Sequence, residues 1–293
     1  VKDFTSFDGL FKLYQDPKTG ALSMEISADQ IDKDFIYFSQ INDGAVTSGH
    51  FRGQFRREIV FKVRKYFDRI EFVQLNSNFY FDPESALARA KDANISDSVI
   101  HSAKIEATTK GTGGAAERYL VKADKLFISE DFDRINPPAP RGGQGGPERF
   151  SLGKLAPNKS KISAVHNYPA NTAISVDLVY SNPDARVAGG NDIADPRSVT
   201  VNMQHTLVAL PKNDFKPRFD DARVGYFMQE VTDLTELESV TPYRDVINRW
   251  NLVKKDPSAK LSEPVEPITW WIENTTPLEL RPVIKEAVEA WNI

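Results

Sequence analysis

Ser198-Val-Thr-Val-Asn-Met-Gln-His-Thr-Leu-Val208 alternates without a break. Val199, Val201, Met203, His205 and Leu207 fall on one side of an extended chain, and Thr200, Asn202, Gln204 and Thr206 on the other. Successive side chains of a strand point to opposite faces, so this period of two reads as a strand with one face in a core. The pattern recurs in shorter runs. Residues 9–26 predict a hairpin, with a turn at Asp16-Pro17-Lys18-Thr19-Gly20 and Leu22, Met24 and Ile26 alternating after it. Further strands are expected at 35–41, 58–64, 69–75, 99–107, 119–128, 174–180 and 243–253, and a short helix at 83–91, where Pro83 precedes good helix formers. Many strands with few helices predict a mainly β fold, an antiparallel β-sandwich or open barrel.

Composition narrows the function. At 293 residues the chain can hold one large β domain or two smaller ones. With 40% hydrophobic and 27% charged residues it belongs with globular rather than disordered chains. A net charge of -4 gives no general attraction to phosphate backbones, which argues against nucleic acid as a partner. No apolar run has the length of a membrane span, and residues 1–20 lack the basic and apolar regions of a signal peptide. Val1 is not an initiator Met, so an upstream leader is expected. Without cysteine there are no disulfides, thiolate nucleophiles or cysteine zinc ligands.

The chemistry-bearing residues are sparse. His50, His101, His166 and His205 are scattered, with no pair one helical turn apart to grip a zinc ion, and His205 on an apolar face reads as a hydrogen-bonded core histidine. No serine sits in a Gly-x-Ser-x-Gly elbow. Residues 136–149, rich in Pro and Gly, lack the Gly-Lys-Ser/Thr ending of a phosphate loop and read as a surface loop, with a possible division of the β region there. The run Ser129-Glu130-Asp131-Phe132-Asp133 reads as a solvated acidic loop. Asp220 and Asp221, flanked by Arg218 and Arg223, are the most suggestive acidic site; two arginines facing two carboxylates predict a network that pins an irregular loop.

The C-terminal stretch combines a strand pattern at 268–272, a turn at 274–277 and a helix beginning near Pro282, with Thr276 and Glu279 capping the turn that precedes the helix. Val283, Ile284, Ala287, Val288 and Trp291 share one helix face, and Trp270 and Trp271 are expected to pack in a core. The helix meets no stop signal before Ile293, which is expected of a polypeptide that continues. The predicted division is a β-rich region over 1–262, with a polar linker at 254–264, and a terminal unit over 263–293.

Several of these segments together resemble a known family. Leu210-Pro211, Lys216-Pro217-Arg218 with Asp221, Arg223-Val224-Gly225-Tyr226-Phe227, Ile247-Asn248-Arg249-Trp250 and Pro267-Ile268-Thr269-Trp270-Trp271-Ile272 ahead of Ala290-Trp291-Asn292 look like the N-terminal half of large bacterial zinc-dependent metalloproteases of the metzincin type. The opening, with Phe11-Lys12-Leu13-Tyr14, Thr19-Gly20 and Glu25-Ile26, is similar to the start of that region. The resemblance implies a periplasmic, envelope or secreted hydrolase whose protease domain opens at about 267–293. It implies zinc in the full-length protein and a peptide or protein substrate. The zinc motif, His-Glu-x-x-His-x-x-Gly-x-x-His, is not in this sequence, so no catalytic residue, metal ligand or cofactor is assigned to this chain. The resemblance leaves three roles open: a scaffold, with Trp270, Trp271, Val283, Ile284, Ala287, Val288 and Trp291 against the protease domain; a latency segment, with Asp220 or Asp221 reaching the zinc; or a peptide- or glycan-binding β module.

Overall fold

The computed structural model describes residues 3–111, 116–136 and 150–292. It divides into two compact units, Val1–Lys212 and Asn213–Ile293. The division falls where the alternating pattern gives way to the irregular stretch that begins at Leu210, and the expected boundary at 262/263 lies inside the second unit.

Unit 1 is built on one twelve-stranded antiparallel sheet. Its strands are β1 (Thr5–Phe7), β2 (Lys12–Gln15), β3 (Leu22–Ser27), β4 (Asp34–Asp43), β5 (Phe55–Tyr66), β6 (Arg69–Gln74), β8 (Ser98–Thr109), β9 (Arg118–Lys122), β10 (Lys154–Leu155), β11 (Lys161–Tyr168), β12 (Asn171–Ser181) and β13 (Ser198–Ala209), with a two-residue strand β7 (Phe79–Tyr80) off this sheet. The order is β1-β2-β3-β9-β8-β6-β5-β4-β13-β12-β10, with β11 also paired to β12. The alternating stretch is β13, and it lies between β12 and β4 with both edges paired. Its registers Met203↔Val176, Val201↔Leu178 and Leu207↔Tyr37 align inward-facing side chains of three strands, so one periodicity fills one core.

The sheet curls into a half-barrel, and its ends meet through one backbone bond and the side chains of Asn167 and Thr172. Leu10 N donates to Tyr168 O at 2.7 Å, and Asn167 Nδ2 donates to Phe7 O and Phe11 O at 2.9 and 2.7 Å. The Thr172 hydroxyl donates to Asn167 Oδ1 at 2.6 Å and accepts from Phe11 N at 3.3 Å. The Asn167 amide thus satisfies backbone groups that a ladder would otherwise take. Gly9 is required beside it, since a Cβ there would lie 2.1 Å from Asn167 Oδ1.

Phe11, Tyr37, Phe61 and Phe72, all fully buried, line the concave face. What fills it is a plug. Beyond β9 the predicted strand 119–128 stops, because the Asp124 carboxylate accepts from Leu22 N at 2.9 Å and a single helical turn, α1 (Asp124–Phe127), turns the chain inward. Leu126, Phe127, Phe132 and Ile135 are then buried against the sheet. Phe132 sits 4.6 Å from Tyr37, 5.8 Å from Phe61 and 5.9 Å from Phe72, ring centre to ring centre. The expected solvated loop at 129–133 is therefore corrected to a core element.

Other expectations are corrected locally. The predicted helix at 83–91 is a 3-10 turn, Ala86–Ala90, capped by Ser85, whose hydroxyl accepts from Leu87 N. Of the loop 136–149 only Asn136 lies within the described residues. In unit 2 the expected strand at 243–253 shrinks to β16 (Val246–Ile247), paired with β14 (Met228–Gln229); β15 (Thr232–Asp233) lies between them in sequence. The expected linker 254–264 folds back on itself, with Lys255 N donating to Glu263 O, Val265 N to Val253 O, and Lys254 Nζ to Ala259 O at 2.8 Å. Residues 268–272 are not a strand, for want of a neighbouring ladder. The helix α2 (Arg281–Glu289) forms where Pro282 predicts it, with Leu280 as its N-cap, and in the turn before it Thr276 offers its carbonyl to Arg281 Nε at 3.1 Å.

Candidate functional site

The plug carries three acids, Glu130, Asp131 and Asp133, and the sheet supplies a partner to each. Asp133, 4% exposed, is gripped through two bonds by Arg56 of β5, with Nε donating to Oδ2 at 2.8 Å and Nη2 to Oδ1 at 3.3 Å. Ser39 of β4 donates to the same Oδ2 at 2.8 Å. Next to it in β5, Arg57 spans two partners, giving Nη1 to Phe132 O and Nη2 to Gln74 Oε1 at 2.7 Å. Glu130 accepts from the Tyr180 hydroxyl of β12 at 2.9 Å and from Asn136 N at 3.3 Å. Asp131 meets His101 Nδ1 at 2.7 Å. Of the three only Asp133 is buried, and a buried carboxylate is tolerable when charge-assisted donors replace its water. Glu130 is partly buried and Asp131 exposed, and the three contacts together fix the plug in one register.

Deeper in, the Tyr37 hydroxyl contacts His205 Nδ1 at 3.0 Å. Burial strips the water from both groups: it pushes the Tyr37 phenol well above its ordinary range and holds His205 down at about 4. His205 is thus the core histidine its strand face predicts. The pH consequence has a definite sign. Between about pH 6.5 and 4 the unfolded chain binds a proton at this position that the folded chain refuses, so stability falls as pH falls through that window, by about 3 kcal/mol in total. Urea midpoints at pH 7.5 and 4.5 should separate more for the wild type than for His205→Gln, which keeps an acceptor for Tyr37 without the titration. Equal separations would contradict this account.

Of the ionic groups that hold the plug, Arg56 and Glu130 also line a cavity of about 860 Å³ at one mouth of the half-barrel, together with His50, Arg134, Phe150 and Lys154. His50 is 6% exposed, and burial together with the Arg56 charge lowers its pKa.

The residues singled out by sequence lie in unit 2. Asp221 and Arg223 form a two-bond pair, with Nε to Oδ1 at 2.8 Å and Nη2 to Oδ2 at 2.6 Å, and the guanidinium holds Asp221 at about 2. Arg218 and Asp220 join the loop through backbone bonds instead, Ile247 N to Arg218 O and Asp220 N to Asp245 O. A zinc ion approaching Asp221 would have to displace Arg223. Trp270, Ala287, Val288 and Trp291 do converge: with Trp250 and Ile268 they line an apolar cavity of about 480 Å³. The expected core packing of the tryptophans is corrected, since Trp270 is 68%, Trp271 90% and Trp291 88% exposed. Val283 and Ile284 stand beside the cavity's helix face and are also not buried. Among the described residues, no three His, Cys, Asp or Glu side chains converge as metal ligands.

The profile of a family described as a domain of unknown function, DUF5117, matches residues 55–255. The chain belongs to the DUF5117 family. No curated protein and no solved structure matches it. The DUF5117 match runs from β5 into unit 2, taking in Arg56, the plug, Tyr180 and His205, and it begins after Ser39 and His50. Sequence reading missed Arg56, Glu130, Asp133 and Tyr180 of this DUF5117 chain. The available signal was Phe132 inside the acidic run with Phe127 and Ile135 on either side of it, apolar side chains a solvated loop has no use for.

Proposed function

We propose that the chain is the non-catalytic scaffold region of a secreted or envelope zinc metallopeptidase of the metzincin type. In this reading unit 2 supplies the apolar surface against which the protease domain packs. The observation that carries it is the imbalance of unit 2, in which Ile247 is the sole buried hydrophobic among the described residues, while Trp270, Trp271 and Trp291 face solvent. A segment this rich in exposed aromatic surface gains stability only when another surface covers it. The resemblance of the 210–292 segments to metzincin-type proteases names that surface. The catalytic zinc and its ligands belong to the protease domain, and the substrate is a peptide or protein cut there. No helix among the described residues is long and apolar enough to cross a membrane.

Zinc analysis and a peptide-cleavage assay on the protein encoded by the complete reading frame should give stoichiometric metal and proteolysis, and the 1–293 polypeptide alone should give neither. Trp270→Ala with Trp291→Ala should lower the thermal midpoint of the complete protein while leaving that of 1–293 unchanged. Zinc-dependent cleavage by 1–293, or a complete protein without zinc, would overturn the reading.

A further inference from the structure

We propose that the cavity at the mouth of the unit 1 half-barrel binds a carboxylate carried on an apolar group, such as the C-terminal residue of a peptide or a free N-acyl amino acid. The inference does not depend on the protease reading. Its volume, about 860 Å³, is in the range of small-molecule pockets, and barrel mouths are recurrent ligand sites.

The charges set the sign and size of the ligand. Arg56, Arg134 and Lys154 face the cavity, against Glu130 on its wall and Asp133 behind Arg56. That leaves one positive charge in excess, which a monoanion neutralises and a phosphate dianion overshoots. Glu130 is committed on both oxygens, one accepting from Tyr180 and Asn136 and the other paired with Arg134 Nε at 3.8 Å, so the uncompensated positive charge is that of Lys154. Arg56 is the anchor. Its Nε and Nη2 are spent on Asp133 and on Arg134 O, at 3.1 Å for the latter, and its Nη1 has no partner among the described residues. A guanidinium held on one edge with a donor left over is preorganised for a single carboxylate oxygen. His50 adds a buried Nδ1 without a hydrogen bond among the described residues.

The apolar part of the lining sets the rest of the ligand. Ile135 and Leu152 are buried and Phe150 packs against the core, so the cavity is apolar within reach of its cations. An acid with an aliphatic or aromatic substituent meets both demands.

The test titrates the 1–293 chain with N-acetyl-leucine, N-acetylleucinamide and inorganic phosphate, following backbone amide shifts. The acid should move the amides of residues 151–155 and saturate below about 10 mM, with the amide about tenfold weaker and phosphate not competing. Lys154→Ala combined with Arg134→Gln should weaken the acid about fivefold without moving the unfolding midpoint, since both side chains are largely exposed. A tetra-alanyl-leucine peptide with a free C-terminus separates the sources: tighter binding than N-acetyl-leucine assigns the site to peptide termini, and equal binding to the small acid. Acid and amide binding equally, phosphate competing with the acid, or the double variant binding like wild type would each overturn the proposal.

Discussion

Replacing Asp133 by alanine should cost about 3–5 kcal/mol of folding stability. Asp133 is 4% exposed, and its carboxylate takes two bonds from Arg56 and one from Ser39. Removing it strands a guanidinium whose side chain is only 15% exposed, and the remaining bond to Arg134 O cannot replace a counter-charge. The attraction lost is not what sets the magnitude. An intact buried pair is worth little over apolar residues of the same shape, whereas a broken one leaves a desolvated charge behind. The double variant Asp133→Leu with Arg56→Met should therefore recover much of the loss, and Ser39→Ala should cost only about 1 kcal/mol. Urea unfolding of the variants decides it. If Asp133→Ala loses less than about 1 kcal/mol, water reaches Arg56 freely and the plug is not anchored by charge.

How far such a site can be read from sequence depends on where the physical information sits. The sheet was legible because alternation is local: β13 and β3 announce their buried faces, and β4, β5 and β12 contain the expected spans and extend them by one to three residues at each end. The seam was not, since nothing in Gly9 or Asn167 signals that they will meet across the ends of a curled sheet. The plug failed for a different reason. Charge in Glu130, Asp131 and Asp133 reads as solvation until Arg56 and His101, far away in sequence, are known to be opposite. Unit 2 shows the converse. The helix face of Ala287, Val288 and Trp291 was visible from its spacing, yet spacing says that a face is apolar and not what covers it.

Phe132→Ala should be the other large effect, about 3–5 kcal/mol, because it opens a cavity where three aromatic rings converge. Tyr37, Phe61 and Phe72 contact this ring from β4, β5 and β6, the latter two at 90° and 70°, so no single neighbour can collapse into the space. Phe132→Leu, which keeps most of the volume, should cost about 1–1.5 kcal/mol. Trp271→Ala in the same 1–293 chain should change little, about 0.5 kcal/mol, since that larger side chain is 90% exposed. The informative measurement is the combination with Asp133. The two side chains are sequence neighbours that hold one segment by two unlike forces, so their losses should not add. Once Phe132→Ala has loosened the plug, Asp133 and Arg56 gain access to water and the second substitution removes less. A coupling energy of about 1–3 kcal/mol in the double-mutant cycle is expected. Strict additivity would mean that the apolar and ionic anchors of the plug act independently, and that the barrel interior does not behave as one packed unit.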